Sequence, residues 1–216
     1  DIQKRSKLLL QTPEGFDSRY RVKVAVNTEA LEIDRGGKRV RARGPEGESW
    51  LPYDSLILAQ GGNPIMPPLP GSDASNVFKL WTVPDMDRIE AYLDAEKPET
   101  AAVIGGGFIG LEMAEAFTAR GISTTVVELL PRLMSTMDPE FGALIAAKLE
   151  EKGVRVRLGT GLKAIHAESD EIELADGSRV PAGIVLLSIG VRPELALAKA
   201  AGLAIGSWGA FLEALE

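Results

Sequence analysis

The chain has 216 residues, of which 45% are hydrophobic and 25% charged, a balance typical of a globular protein with a sizeable core. Its 31 acids against 24 bases give a net charge of −7, which argues against a nucleic-acid surface. The sequence contains no cysteine, which excludes disulfides, thiol catalysis and cysteine-ligated metal clusters within it. Its single histidine, His166, excludes a histidine-based metal cluster. No apolar run approaches the roughly 18–20 residues of a membrane span and no signal peptide is recognisable, so we expect a cytoplasmic protein without a membrane partner.

The first quarter of the sequence predicts one short helix and an antiparallel meander. A hydroxyl N-cap at Thr12, followed by Pro13 and an acid, is a typical helix start. From about Arg21 to Leu51 the apolar pattern has a period of two, in "RVKVAVN", "ALEID", "KRVRAR" and "ESWLPY". The most basic stretch, Arg35–Gly44, is interpreted as an exposed hairpin with its charges in water.

A strand and a connector are predicted next. Ser55–Ala59 is a continuous apolar run of the kind buried on both faces of a sheet. Four prolines then fall within the seven residues 64–70, which predicts an extended connector between two lobes. A helix is expected over Asp85–Lys97, and a second junction near Pro98.

The second half predicts an α/β fold with a doubly wound, Rossmann-like parallel sheet. Strands are predicted at Ala101–Ile104, Ser123–Glu128 and Val154–Leu158, and helices at Phe108–Arg120 and Asp138–Glu151. A further antiparallel meander follows in "LKAIHA", "EIELADGSRV" and "AGIVLLSIG".

Glycines at 105, 107 and 110 lie between the first of these strands and its helix. This G-x-G-x-x-G pattern is weak evidence alone, but Glu128 closes the next strand 23 positions after Gly105, close to the ~20 expected of a dinucleotide-binding unit. Gly105 would make the turn, Gly107 would admit a pyrophosphate to the main chain, and Gly110 would let the helix pack closely on the sheet. The alternative is a tight turn without a ligand.

Several stretches together resemble one family. "VIGGGFIGLEMAEAF", the strand ending in Glu128 and "LLSIGVRPE" are similar to the NAD(P)H domain of the flavin-dependent pyridine nucleotide-disulfide oxidoreductases, and "YDSLILAQGGNPIMPPLPG" to the middle of their FAD domain. The coenzyme A-disulfide reductase and NADH oxidase branch is the most similar. The resemblance implies part of an FAD-binding domain (meander plus strand) at 1–98, the NAD(P)H-binding domain at 99–193 and a truncated return segment at 194–216.

The resemblance also implies a function for the intact protein. Hydride would pass from NAD(P)H to FAD and on to a disulfide or oxygen, in a homodimer acting on a small-molecule or disulfide substrate. Cofactor-binding roles are implied for a set of residues in the two domains: Ala59, Gly61, Gly105, Gly107, Phe108, Ile109, Gly110, Glu112, Glu128 and Gly190. Structural alternatives remain for some of them, with Phe108 as a core aromatic, Glu112 as a solvated helix residue and Gly190 as a strand end.

Departures from the family pattern limit this expectation. The family's first FAD-binding glycine motif, its redox cysteine and its second flavin motif have no counterpart in the sequence, and Gln60 stands where the family has threonine. We therefore expect a central fragment that holds little FAD, contains no catalytic residue of its own and is inactive alone. The alternatives are a non-catalytic NADH-binding module and an interaction protein with a vestigial site.

Glu128 predicts the choice of nucleotide. A carboxylate there accepts hydrogen bonds from the ribose hydroxyls of NADH but repels the 2′-phosphate of NADPH. Arg132 is the nearby base that would partly neutralise that phosphate, so NADPH stays possible while NADH is preferred.

Overall fold

A computed structural model describes residues 10–206, which form two compact units. The first comprises residues 10–61 and 193–206, and the second residues 62–192. The sequence placed a boundary at residues 98 and 99, whereas the units divide between Gly61 and Gly62 and between Arg192 and Pro193. The predicted assignments of residues 1–9 and 207–216 lie outside the described residues.

The first unit contains one helix, a three-stranded antiparallel sheet and a short closing helix. Its elements are α1 (Pro13–Tyr20), β1 (Glu29–Asp34), β2 (Arg39–Gly44) and β3 (Gly47–Pro52), with a later helix at Ala196–Ala200. As predicted, α1 begins after Thr12, whose hydroxyl accepts the Gly15 N–H at 3.1 Å. The basic hairpin is also confirmed, because its arginines pair with acids at the surface.

Two predicted strands of this unit are wrong. Residues 22–26 and 55–59 are irregular, and no neighbouring strand among the described residues pairs with them. Val22, Val24 and Val26 are each at least 41% exposed, and Ile57 is 88% exposed. An alternating or apolar pattern becomes a strand only where a partner backbone accepts its hydrogen bonds.

The second unit is built on a parallel sheet, as predicted. Its strands are β4 (Gly62–Pro64), β5 (Val77–Phe78), β6 (Thr100–Ile104), β7 (Ser123–Glu128), β8 (Arg155–Leu158), β9 (Leu162–His166), β10 (Glu171–Leu174), β11 (Arg179–Pro181), β12 (Ile184–Leu187) and, at its boundary, β13 (Val191–Pro193). Its helices are α2 (Val83–Glu96), α3 (Phe108–Ala119) and α4 (Pro139–Glu151), with a 3-10 turn at Ala167–Ser169, and the closing helix of the first unit is α5. The five-stranded sheet has the order β5-β12-β6-β7-β8.

The sheet is buried on both faces. Along β6, Ala101 and Val103 face a core shared with α2, α3 and α4, while Ala102 and Ile104 face a second core. That second core is closed by the antiparallel sheet β9–β11, which is the predicted meander between β8 and β12. Both faces of such a strand need apolar residues, which is why the run at 101–104 carries no polar side chain.

Residues 62–98 belong with this sheet because β5 pairs with β12 and α2 packs against its core. The sequence did not predict β5, a strand of two residues.

Asp138 stands at the N-cap of α4 as predicted, but its side chain makes no capping hydrogen bond.

Candidate functional site

Two glycine positions, one in the loop between β6 and α3 and one in the first turn of α3, have no room for a Cβ. Gly105 has φ of +109°, and a Cβ there would lie 2.1 Å from the Ser188 carbonyl oxygen. A Cβ on Gly110 would lie 2.0 Å from the Gly105 carbonyl oxygen. Gly105 therefore makes the turn out of the strand, and Gly110 brings the first turn of α3 against that loop.

Gly107 differs from both. It is the N-cap of α3 with φ of −90°, which any residue adopts, and apart from its chain neighbours no described residue has an atom within 4 Å of the place where its Cβ would stand. No side chain caps the helix there. The N–H groups of the first turn consequently remain available, together with the positive end of the helix dipole, to an anion placed against Gly107.

Glu128 ties the glycine loop to the end of β7. Its Oε2 accepts the Gly106 N–H at 2.7 Å, and its Oε1 accepts the Leu130 N–H at 2.8 Å. Each carboxylate oxygen retains capacity for a further donor, so the side chain still accepts hydroxyl groups. The sequence predicted the acid at this point but not its bond to Gly106.

A cavity of about 950 Å³ opens over the carboxyl ends of β6, β7 and β12, within the second unit. Its volume lies in the range of natural ligand sites, and the position between β6 and β12 is where the strand order reverses. Six of the predicted site residues line it, namely Gly105, Gly107, Phe108, Ile109, Glu128 and Gly190. Phe108 is 69% exposed, so the alternative of a core aromatic is wrong.

The other predicted residues are not brought to this cavity. Gly110 is buried beneath the loop, and Glu112 is exposed on α3 outside the lining. Ala59 and Gly61 belong to the first unit, where Gly61 has φ of +68° and its carbonyl accepts the Glu194 N–H. Between them the Nε2 of Gln60 is buried without a hydrogen-bond partner.

Sequence reasoning missed several residues of the cavity wall. Leu129 and Leu130 follow Glu128 directly and are 70% and 44% exposed, and Thr160 follows β8. Trp81 follows β5 and is 45% exposed. The usable signal was their position, because each follows a parallel strand at the edge where α/β proteins bind ligands.

A glycine turn, an open helix N-terminus, an acid after the next strand and a cavity at the strand-order reversal define the class of dinucleotide-binding α/β domains. The profile of one family, described as pyridine nucleotide-disulphide oxidoreductase, matches residues 4–213. The chain belongs to this family.

Relatives in this family match nearly the whole chain. It is 31% identical to an NADH oxidase of Methanocaldococcus jannaschii, over 96% of the chain and 47% of that protein. It is 35% identical to an NAD(P)H coenzyme A polysulfide/persulfide reductase of Pyrococcus horikoshii, over 94% of the chain and 46% of that protein. The chain thus spans about half the length of the curated relatives it matches.

A solved structure agrees with this assignment. The reduced CoADR-RHD of Bacillus anthracis superposes with a TM-score of 0.92 and 38% identity, over 96% of the chain and 38% of that protein. Within residues 10–206, no helix has the length and apolar character needed to cross a membrane.

Proposed function

We propose that residues 62–192 are the NAD(P)H-binding domain of a flavin-dependent oxidoreductase and that this domain binds NADH. One observation carries the proposal. Gly107 needs no special backbone conformation, and a Cβ there would meet no described atom beyond its chain neighbours, yet it stands at an uncapped helix N-terminus on the cavity wall. A side chain there would occupy space that the protein leaves free, and a pyrophosphate is the group that this position fits.

Each part of the wall then has a role in binding. The N–H groups at the start of α3 would hold the pyrophosphate, and Glu128 would accept the hydroxyls of the adenosine ribose. Phe108, Ile109 and Gly190 would contact the nicotinamide half. When bound, the reduced nicotinamide supplies a hydride, and the chain's own residues position it.

The same geometry favours NADH over NADPH. A 2′-phosphate would face the Glu128 carboxylate, which main-chain N–H groups already hold in place. Arg132 donates from Nη2 to the Ser135 carbonyl at 3.1 Å, so one of its donors is already engaged with the main chain. Like charges brought together in a binding site cost several kcal/mol.

The proposal for the intact protein rests on the family. Relatives are named as an NADH oxidase and an NAD(P)H coenzyme A polysulfide/persulfide reductase, which supports hydride transfer to FAD and then to oxygen or a disulfide-type substrate. The buried, unused Nε2 of Gln60 fits a cofactor contact at the turn Ala59–Gly61.

A cytoplasmic homodimer is proposed on the family resemblance, and sedimentation of the full-length protein tests the dimer.

A second candidate is an NADH-binding module without its own redox centre. The observation that favours it is the absence of cysteine from the whole sequence. The two candidates differ in the flavin content expected of the full-length protein. Stoichiometric flavin absorbance in the purified 216-residue chain would support the flavoenzyme and contradict both the module and the expectation of weak FAD binding.

Calorimetric titration of the purified chain with NADH and NADPH tests the proposed function. We expect one NADH site per chain and weaker binding of NADPH. Absence of heat and of any thermal stabilisation by NADH at millimolar concentration would overturn the proposal.

A further inference from the structure

We propose that Trp81 forms the wall of the subsite for the nicotinamide half of the dinucleotide. This inference rests on the proposed function, since it assigns one end of the same cavity. It concerns a side chain that no motif of the sequence singled out.

The direction of the dinucleotide follows from the strand order. The proposed pyrophosphate position lies at the junction of β6 and α3, and the proposed role of Glu128 puts the adenosine ribose at the end of the neighbouring β7. On the opposite side of β6 lie β12 and then β5. The nicotinamide half must therefore extend from Gly107 across the end of β12 toward the end of β5.

Trp81 stands at that end. It follows Phe78, the last residue of β5, by three positions, and it lines the same cavity as Gly107 and Gly190. Ile65 and Leu80 also line the cavity, and the Ile65 N–H donates to the Gly190 carbonyl at 3.0 Å. This end of the cavity is thus an apolar wall beside a main-chain turn.

The backbone of Trp81 is held on both sides. Its N–H donates to Asp85 Oδ2 at 3.1 Å, and the same oxygen accepts the Thr82 N–H at 2.9 Å. On the other side, Phe78 is buried and its ring lies 5.1 Å from the ring of Tyr92. A wall residue anchored in this way offers its ring to a ligand with little further loss of backbone entropy.

The exposed indole fits the chemistry of a nicotinamide. Trp81 is 45% exposed, whereas Phe78 and Phe117 are buried in the core, and Phe108 is a second exposed aromatic side chain on the cavity wall. The nearly planar dihydronicotinamide ring of NADH stacks on an indole face, as nucleic-acid bases stack on aromatic side chains. The opposite end of the cavity, formed by Leu129 and Leu130, is aliphatic.

The test compares two ligands that differ only in the nicotinamide. The whole chain carrying Trp81→Ala is titrated with NADH and with ADP-ribose, which retains the adenosine, the pyrophosphate and the second ribose. We expect NADH affinity to fall about 5- to 30-fold and ADP-ribose affinity to change less than about twofold. Trp81→Phe keeps an aromatic face and is expected to recover part of the NADH affinity.

Trp50→Ala is the matched control, because Trp50 is an exposed tryptophan of the first unit that does not line the cavity. It is expected to leave both affinities unchanged, and melting curves confirm that all variants fold. An equal loss for both ligands, or no loss for either, would overturn the assignment of Trp81 while leaving nucleotide binding intact. A wild-type chain that binds neither ligand would instead overturn the proposed function, and this inference with it.

Discussion

The three glycines of the motif after β6, Gly105, Gly107 and Gly110, are required for different physical reasons. Two of these reasons concern the folding of the chain, and the third concerns the binding of a ligand. At Gly105 the demand is a positive φ, and at Gly110 it is contact with the Gly105 carbonyl. At Gly107 neither demand is present among the described residues, which supports the proposal that this glycine serves ligand binding. The motif predicted three different roles from the order of the glycines, and the structure gives the physical reason for those of Gly105 and Gly110.

Adding one methyl group at two of these positions is expected to have opposite consequences. Gly107→Ala should cost less than about 1 kcal/mol of unfolding free energy, the scale of an N-cap change, and weaken NADH binding about tenfold or more. Gly110→Ala should cost roughly 1–3 kcal/mol, because the methyl has no space. Denaturant unfolding and calorimetry on both variants check this. A Gly107→Ala chain that binds NADH like the wild type would contradict the pyrophosphate assignment.

Glu128 is expected to set the ratio of NADH to NADPH affinity. The wild type should prefer NADH by about 10- to 100-fold, which corresponds to roughly 1.4–2.8 kcal/mol. Glu128→Ala should weaken NADH and narrow the ratio, since it removes the repelling charge and also the bonds to Gly106 and Leu130. The ratio, measured by titration with both nucleotides, isolates the charge from the loss of loop order.

Glu128→Gln is the matched control, because it keeps the size of the side chain and removes the charge, while its single acceptor oxygen retains one of the two bonds to Gly106 and Leu130. It should narrow the ratio with a smaller loss of NADH affinity than Glu128→Ala. If the wild type binds both nucleotides equally, or if the ratio is the same in all three proteins, Glu128 does not discriminate between them.

Among the elements, α2 depends on a carboxylate at its start. Thr82 and Asp85 form a reciprocal capping box, and Arg88 also bonds to Asp85. Burial raises the pKa of Asp85, but the hydrogen bonds from Thr82, Arg88 and Trp81 outweigh it, so the net pKa lies below the usual value. The ionised form is therefore the one that stabilises the folded state.

The pH dependence of Asp85→Asn follows from this direction. The stabilisation is complete above the unfolded pKa of about 3.9 and is lost as the pH falls through the lower folded pKa. Asp85→Asn should lower the unfolding free energy by about 1–2 kcal/mol at pH 7, and the difference from wild type should shrink below about pH 4. Urea unfolding across this range measures it.

Asp94→Asn is the control for this effect, because Asp94 is an exposed carboxylate of the same helix. It is expected to change the unfolding free energy by less than about 0.5 kcal/mol at any pH in the range. A difference for Asp85→Asn that persists unchanged at pH 3 would show that ionisation of this carboxylate does not stabilise the cap.

The elements that could be predicted from sequence are those whose pattern is completed locally. The strand Ser123–Glu128 has the predicted bounds, and the helix after the glycines begins at the predicted residue. The signals for both elements, an apolar run and the flanking glycines, lie within a few residues of the boundaries that they determine. The segments at 22–26 and 55–59 have equally strong patterns but no partner strand among the described residues. Whether a segment pairs as a β-strand depends on a partner strand elsewhere in the fold, and a local sequence pattern does not show whether that partner exists.

The same limit applies to the site. Glu128 and the glycines were found because each is tied to a strand end by fixed spacing. Trp81 was not found because β5 has two residues and leaves no periodic signal, so its place at the carboxyl edge appears only once the sheet order is known. Glu112 was predicted from the family and its apolar neighbours, yet it lies outside the cavity wall.

At the scale of the whole molecule, the chain divides into one unit that holds a complete parallel sheet and another that holds three antiparallel strands. Apolar side chains are exposed on both units, and the second unit buries both faces of its parallel sheet. Because the cavity is lined by residues of the second unit, nucleotide binding should stabilise that unit. At NADH concentrations about 100 times Kd, linkage predicts about 2.7 kcal/mol of stabilisation of the binding-competent fold.

Hydrogen–deuterium exchange with and without saturating NADH tests the central claim most directly, because it locates the binding site along the chain. The account predicts slower exchange at residues 105–111 and at 128–130, with no change across the strands at 29–52. Unchanged exchange at 105–111 under saturation, or slowing confined to 29–52, would contradict the claim that the glycine loop before α3 binds the dinucleotide.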